Sequence, residues 1–199
     1  IDMVAAGSQK ALMLPPGIAM LAVSGEKPWK AYEKSTIPKF YLDMGLYKNS
    51  YDKKGDTPFT TSVSLCLQIE EAIAMIFEEG LDNLYARHAK LAQAARAGVA
   101  ALGLEFFSKV PSNIETVFKV PEGIDGNELV KNVREKYGVR VSGGQEPYKG
   151  KIVRIAHMGY ATGHDVILAL SAVEMTLADM GHSLELGAGV KAAEEVLRK

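Results

Sequence analysis

The chain has 199 residues, 47% hydrophobic and 24% charged, a globular composition long enough to bury one core or two small ones. Its 23 basic and 24 acidic side chains nearly cancel, which leaves no electrostatic footprint for nucleic acid or an anionic membrane. No apolar run reaches the roughly 18–20 residues that span a bilayer, and the single cysteine, Cys66, excludes an internal disulfide framework and fits a reducing, cytoplasmic setting.

The chain opens Ile-Asp-Met-Val-Ala-Ala, without an initiator methionine, and reads as a strand of a domain already under way, hence as part of a longer protein. Residues 3–6 form a short apolar strand and Gly7-Ser8-Gln9-Lys10 a turn of small residues with one lysine. Pro15-Pro16-Gly17 marks a second turn, and residues 17–23 read as a strand buried on both faces. Residues 27–57 are polar and aromatic, with tyrosines at 32, 41, 47 and 51. They are expected to be a short helix followed by a long irregular connection, the kind of segment that is functional or sits at a subunit contact. Two amphipathic helices follow. Leu65, Ile69, Ala72, Ile73, Ile76 and Phe77 recur at helical spacing up to Gly80, and Leu81 to Leu102 keep the period up to Gly103.

Beyond Gly103 the texture becomes mixed. Residues 116–120 read as a strand ended by Pro121. Asp125 caps a helix that Gly138 stops. Val139-Arg140-Val141 is expected as a strand, Gly143-Gly144 as a turn, and residues 151–156 as another strand, with helices over 165–180 and 188–198. Strand, helix, strand, strand, helix predicts a small α+β domain with a largely antiparallel sheet. The expected division places residues 1–80 in part of a larger α/β domain and residues 81–199 in the small one.

A lysine that condenses with an aldehyde needs a rigid turn and protection from water. Lys10 has a strand leading into it and small residues around it, and Leu12, Met13, Leu14, Pro15 and Pro16 are placed to shield it. Taken alone, a lysine in a polar turn is more commonly a solvated surface residue. Gly7-Ser8-Gln9-Lys10-Ala11-Leu12 followed by Pro15-Pro16-Gly17, however, resembles the cofactor-lysine segment of the class V, fold-type I aminotransferases of the alanine–glyoxylate and serine–pyruvate type. The resemblance runs on through Thr57-Pro58-Phe59-Thr60, Ile69-Glu70-Glu71-Ala72-Ile73, Glu79-Gly80-Leu81, Arg96-Ala97-Gly98 and Leu102-Gly103-Leu104. It ends at Lys151-Ile152-Val153-Arg154-Ile155-Ala156-His157-Met158-Gly159, where Ala156, followed by His157, stands in place of the glycine of an Arg-Ile-Gly found in many relatives.

The resemblance implies an α/β transferase fold of type I with a small α+β domain, and pyridoxal 5'-phosphate (PLP) bound to Lys10 as a Schiff base. Gln9 would contact the phosphate, with Ser8 as a further donor, and Thr60 would reach the phosphate of a neighbouring subunit, making the protein a homodimer with shared sites. Thr57 stands where some members have tyrosine. Arg154 would pair the substrate carboxylate through its planar fork. The implied reaction is ping-pong transfer of an amino group from alanine or serine to glyoxylate or pyruvate. A desulfurase, a lyase, a transaminase of aminophosphonates or ureidoglycine, and a cofactor-less interaction module are the alternatives. The family's phosphate loop, stacking aromatic residue and ring-nitrogen aspartate precede the lysine segment, so this stretch alone is expected to be inactive.

Other signals carry less. Gly187-Ala188-Gly189 matches a loose dinucleotide fingerprint but lacks a convincing preceding strand. His88, His157, His164 and His182 have no metal-ligand spacing, and His88 falls on an apolar helix face. Cys66 falls in a predicted helix and reads as a packed, inert thiol.

Overall fold

The computed structural model of the chain describes residues 1–199. The chain divides into two compact units, Ile1–Glu78 and Glu79–Lys199.

In the first unit, β1 (Met3–Gly7) and β2 (Ala19–Val23) pair antiparallel, with Met3 opposite Val23 and Gly7 opposite Ala19. Residues 8–18 are therefore the loop of a hairpin. β2 is where the sequence predicts it, but burial on both faces is not observed: Ala19 and Ala22 are exposed and Leu21 is about half exposed, at 48%. Apolar texture reports that a surface prefers to be covered. It does not report what covers it.

α1 (Lys27–Lys34) is the expected short helix, entered through Pro28. The irregular connection expected after it is interrupted by α2 (Met44–Lys54). Asp43 caps α2 by accepting from the Gly45 and Leu46 amides, and Gly55, at φ 64°, ends it in the left-handed region. The Tyr32 hydroxyl donates to the same Asp43 carboxylate at 2.7 Å, which ties α1 to the start of α2 and holds the Asp43 pKa down. Phe59 then gathers Phe40, Tyr41 and Tyr47, with ring centroids 5.0–5.9 Å away. α3 (Val63–Glu79) follows, with Ala72 as its buried residue. Cys66 lies in α3 as expected but is exposed instead of packed, because it falls off the covered stripe of the helix.

The second unit holds the larger core. α4 (Leu81–Ala101) buries His88, Leu91, Val99 and three alanines, 92, 94 and 95. Small residues on this face let neighbours come close: a Cβ at Gly98 would stand 2.4 Å from a Leu170 methyl and 2.9 Å from the Gly189 carbonyl. α4 packs against α6 (Gly163–Asp179) and α7 (Ala188–Leu197). β3 (Glu115–Lys119), β4 (Ser142–Gly143) and β5 (Ile152–Ala156) form an antiparallel sheet in the order β3-β5-β4. α5 (Gly126–Tyr137) has the predicted Asp125 cap and Gly138 terminus. One face of the sheet carries Thr116, Phe118, Val153 and Ile155 into the core.

The third strand is shifted from its expected place. Val139-Arg140-Val141 is not a strand; the ladder begins at Ser142. Gly138 turns the chain at φ 69° and the Val139 amide donates back to Val133 C=O at 3.4 Å, so the residues after the helix are first used to close it. No helix is long and apolar enough to cross a membrane.

Candidate active-site elements

Ser8 organises the lysine loop. It is fully buried, its amide donates to Ile18 C=O at 3.0 Å, and its carbonyl accepts from the Leu14 amide at 3.1 Å. Its hydroxyl donates to Pro15 C=O at 2.7 Å and lies 3.4 Å from the Ile18 amide. A hydroxyl has one hydrogen, and this one is spent inside the loop. Ser8 therefore builds the turn, with its hydroxyl hydrogen directed at Pro15 C=O. Its buried bonds contribute roughly 1 kcal/mol each and cost more if broken singly.

Lys10 follows one residue after Gln9 at the head of this loop. The Lys10 carbonyl accepts from the Met13 amide at 3.0 Å, and Met13 holds φ 62°, unusual for a side chain with a Cβ. The loop is seated on α3, since a Cβ at Gly17 would stand 2.7 Å from a Leu65 methyl. Gln9 folds back so closely that a Cβ at Gly7 would meet its Oε1 at 2.7 Å. The Lys10 side chain makes no ion pair and no hydrogen bond and is exposed. The apolar shield expected from the loop itself is not formed: Leu14 turns inward and is buried, whereas Pro15 and Pro16 are exposed. The backbone of Lys10 is fixed and its amine is uncommitted.

The second turn lies before α3. The Thr57 hydroxyl donates to Phe59 C=O at 2.8 Å and lies 2.8 Å from the Thr61 hydroxyl, so it closes the turn. Thr60 is exposed and its hydroxyl has no partner. Of the two threonines singled out in the sequence, Thr60 has a donor to offer and Thr57 is engaged locally.

Arg154 belongs to the second unit, on the central strand β5, opposite Val117 and Ser142. Its Nε–H donates to Gly143 C=O at 3.0 Å, and Nη1 lies 3.9 Å from a Glu115 carboxylate oxygen. Its neighbours along the strand are apolar. The guanidinium is in fact about a third exposed, because alternation puts Val153 and Ile155 in the core and Arg154 on the opposite face. The Nε anchor orients the group, and the Nη1/Nη2 edge remains able to grip a carboxylate. The Gly143-Gly144 turn supplies that anchor.

Several residues that sequence reasoning passed over shape the second unit. Arg87 pairs with Glu79 through two bonds and donates to the Gly159 and Ala161 carbonyls at 3.1 and 2.9 Å, pinning the segment after β5 to α4. Glu174 is buried and accepts from the Gly187 and Gly189 amides at 3.1 and 3.2 Å. The loose dinucleotide fingerprint is thus the start of α7, whose amides are occupied by an internal carboxylate.

His157 is fully buried and its Nε2 lies 2.9 Å from the Thr116 hydroxyl, while its Nδ1 has no partner. Desolvation, assisted by the positive charge of Arg96, lowers its pKa from 6.5 to about 4. The native state then holds His157 neutral where the unfolded chain takes up a proton. Stability is therefore present above about pH 6.5 and is lost as pH falls toward 4, by on the order of 3 kcal/mol across that window. Denaturant titrations from pH 7 to 4 check this: His157→Gln should flatten the slope, and an unchanged slope would assign the loss to other groups.

Comparison with known proteins fits these elements. No family model matches the chain. It is 39% identical over 99% of its length to a protein named soluble hydrogenase, small subunit, of Synechococcus, covering 51% of that protein. It is 41% identical over its full length to an uncharacterized aminotransferase of Methanocaldococcus jannaschii, covering 52%. To a serine–glyoxylate aminotransferase of Methylorubrum extorquens it is 36% identical over its full length, covering 51%. Among solved structures, ureidoglycine–glyoxylate aminotransferase of Bacillus subtilis superposes with a TM-score of 0.91 at 26% identity, covering 100% of this chain and 52% of that one. Pyridoxamine–pyruvate aminotransferase of Mesorhizobium loti also gives 0.91, at 33% identity, covering 99% and 52%. The chain spans about half the length of the curated relatives it matches.

The fold is thus that of PLP-dependent transferases of fold type I, represented by part of the domain structure. Within that class its homologues, matched along the whole of this chain, are class V aminotransferases, whose cofactor is pyridoxal 5'-phosphate. The lysine loop fits such a group: an amine with no competing partner stands on a hydrogen-bonded frame, beside an amide side chain and in the same unit as a threonine hydroxyl free to donate.

Proposed function

We propose that the full-length protein transfers an amino group from a small amino acid, such as alanine or serine, to a small 2-oxo acid, such as glyoxylate or pyruvate. The observation that carries this is the uncommitted Lys10 amine on a loop locked by all the polar groups of Ser8. Named relatives include serine–glyoxylate aminotransferases, and the reading takes its substrates from that likeness.

Lys10 would hold the cofactor, with Gln9 and Thr60 on its phosphate and Thr57 shaping the turn that presents Thr60. When bound, the cofactor supplies an electron sink for the charge that develops at the substrate Cα. Lys10 Nζ would take the proton from that Cα, so its fixed backbone matters: proton transfer needs the amine within hydrogen-bond reach. Water exclusion must come largely from outside the lysine loop, since Leu14 turns inward and Pro15 and Pro16 are exposed. Arg154 would hold the carboxylate of either acid on its Nη1/Nη2 edge and thereby fix the Cα–H bond. A homodimer, with Thr60 serving the neighbour's phosphate, and a cytoplasmic location complete the reading.

The test is an amino-transfer assay on the full-length protein, supplying alanine or serine with glyoxylate or pyruvate and following glycine or alanine. Transfer with one of these pairs is expected. Absence of transfer from either donor, with sulfide released from cysteine instead, would replace the reading with a desulfurase.

A further inference from the structure

Arg154 is not alone on its face of the sheet. Glu115 stands two residues before Val117, the partner of Arg154 across the β3–β5 ladder, and so shares a face with it. Its Oε2 is 3.9 Å from Nη1 of Arg154, and both side chains are about one third exposed, at 33% and 35%. The next cation on that face, Lys119, is engaged by Glu105. Glu115 is therefore the carboxylate that Arg154 faces in the absence of any bound acid. At 3.9 Å it is too far to count as a hydrogen bond, so it balances the charge without occupying the fork.

Resting on the reading of Arg154 as the substrate-carboxylate residue, we infer that Glu115 is a specificity-determining residue, which makes the site select singly charged acids over dicarboxylates. An acid gripped on the Nη1/Nη2 edge places an oxygen about 3 Å from Nη1, and hence at most about 7 Å from the Glu115 carboxylate. Two like charges that close, partly shielded from water, repel measurably. A monoanion bears this repulsion once and gains the full guanidinium contact. A second carboxylate on the same molecule adds a further charge to the same field and gains no second cation from Arg154, Glu115, Val117, Ser142 or Gly143. The Gly143 carbonyl, already taking Nε–H, adds another acceptor to the rim.

Loss of the Glu115 charge should therefore tighten acids in proportion to their charge. For a partly exposed charge the expected gain is about threefold for a monocarboxylate and about tenfold for a dicarboxylate. The experiment follows the Arg154 Nε–H resonance of the 15N-labelled full chain during titration with acetate and with succinate. In Glu115→Gln the preference for acetate should fall about threefold, and added salt should reduce the difference between variant and parent. Glu115→Asp, which keeps the charge, should retain the parent preference. Equal weakening of both acids in Glu115→Gln would show that Glu115 only props the guanidinium and would overturn the inference, as would an unchanged preference. Arg154→Gln, whose acid binding is followed by titration calorimetry because the Arg154 resonance goes with the side chain, provides the separate control. If it leaves acid binding untouched, the carboxylate-binding role of Arg154 fails and the inference with it. If binding is lost there while Glu115→Gln is silent, only the inference fails.

Discussion

Replacing Lys10 by alanine in the full-length protein should lower the rate of amino transfer by at least about 10⁴-fold. Two losses combine: the attachment point of the cofactor and the base at the substrate Cα. Each contributes a large factor, and groups that act as a unit do not add when removed. The effect should appear in kcat and should not track stability, because the Lys10 side chain makes no bond that holds the loop. Ser8, Leu14 and Ile18 carry the frame and remain in the variant. Steady-state kinetics beside an unfolding curve separates the two: intact stability with abolished turnover is the expected pair. Turnover within tenfold of the parent would remove Lys10 from the chemistry.

Replacing Arg154 by lysine should reduce kcat/KM by about 10- to 100-fold, mainly through KM for both the amino acid and the 2-oxo acid. Lysine keeps the charge but loses the planar pair of donors, and a charge-assisted bond of this kind is worth roughly 1.5–3 kcal/mol. The Nε–H bond to Gly143 C=O would also go, so the orientation of the remaining cation loosens. A change confined to kcat would assign Arg154 to the transition state alone. Unchanged kinetics for both acids would take the carboxylate away from this strand.

Much of this architecture is legible in the sequence where local chemistry and tertiary packing agree. The Asp125 cap and Gly138 terminus of α5, the period of α4 and the β5 strand through Arg154 all stand as the residues predict. α2 is missed because its residues, Met-Gly-Leu-Tyr-Lys-Asn-Ser-Tyr-Asp-Lys-Lys, show no apolar stripe; its cap at Asp43 and its stop at Gly55 are the readable signals. The third strand is misplaced because β propensity at Val139 and Val141 yields to the closing of the preceding helix.

The candidate site is readable in part for a similar reason. The family resemblance points to Lys10, Gln9, Thr60 and Arg154 as candidates, but a motif does not show which polar atoms are already spent. Ser8 looks like a phosphate donor in a string of small polar residues, and only its bond to Pro15 reveals that its hydrogen is used. Glu115 is one acidic residue in a strand until the ladder register puts it beside Arg154. Likewise Gly187 and Gly189 suggest an anion at a helix start, and the anion is the chain's own Glu174.

The account depends on Lys10 being the residue that carries the cofactor. Borohydride reduction of the PLP-loaded full-length protein, followed by peptide mapping, tests this most directly. The pyridoxyl mass should appear on the peptide containing Gly7-Ser8-Gln9-Lys10, at Lys10 and in near-stoichiometric yield. Its appearance on a different lysine, or a protein left unlabelled while loaded, would contradict the account.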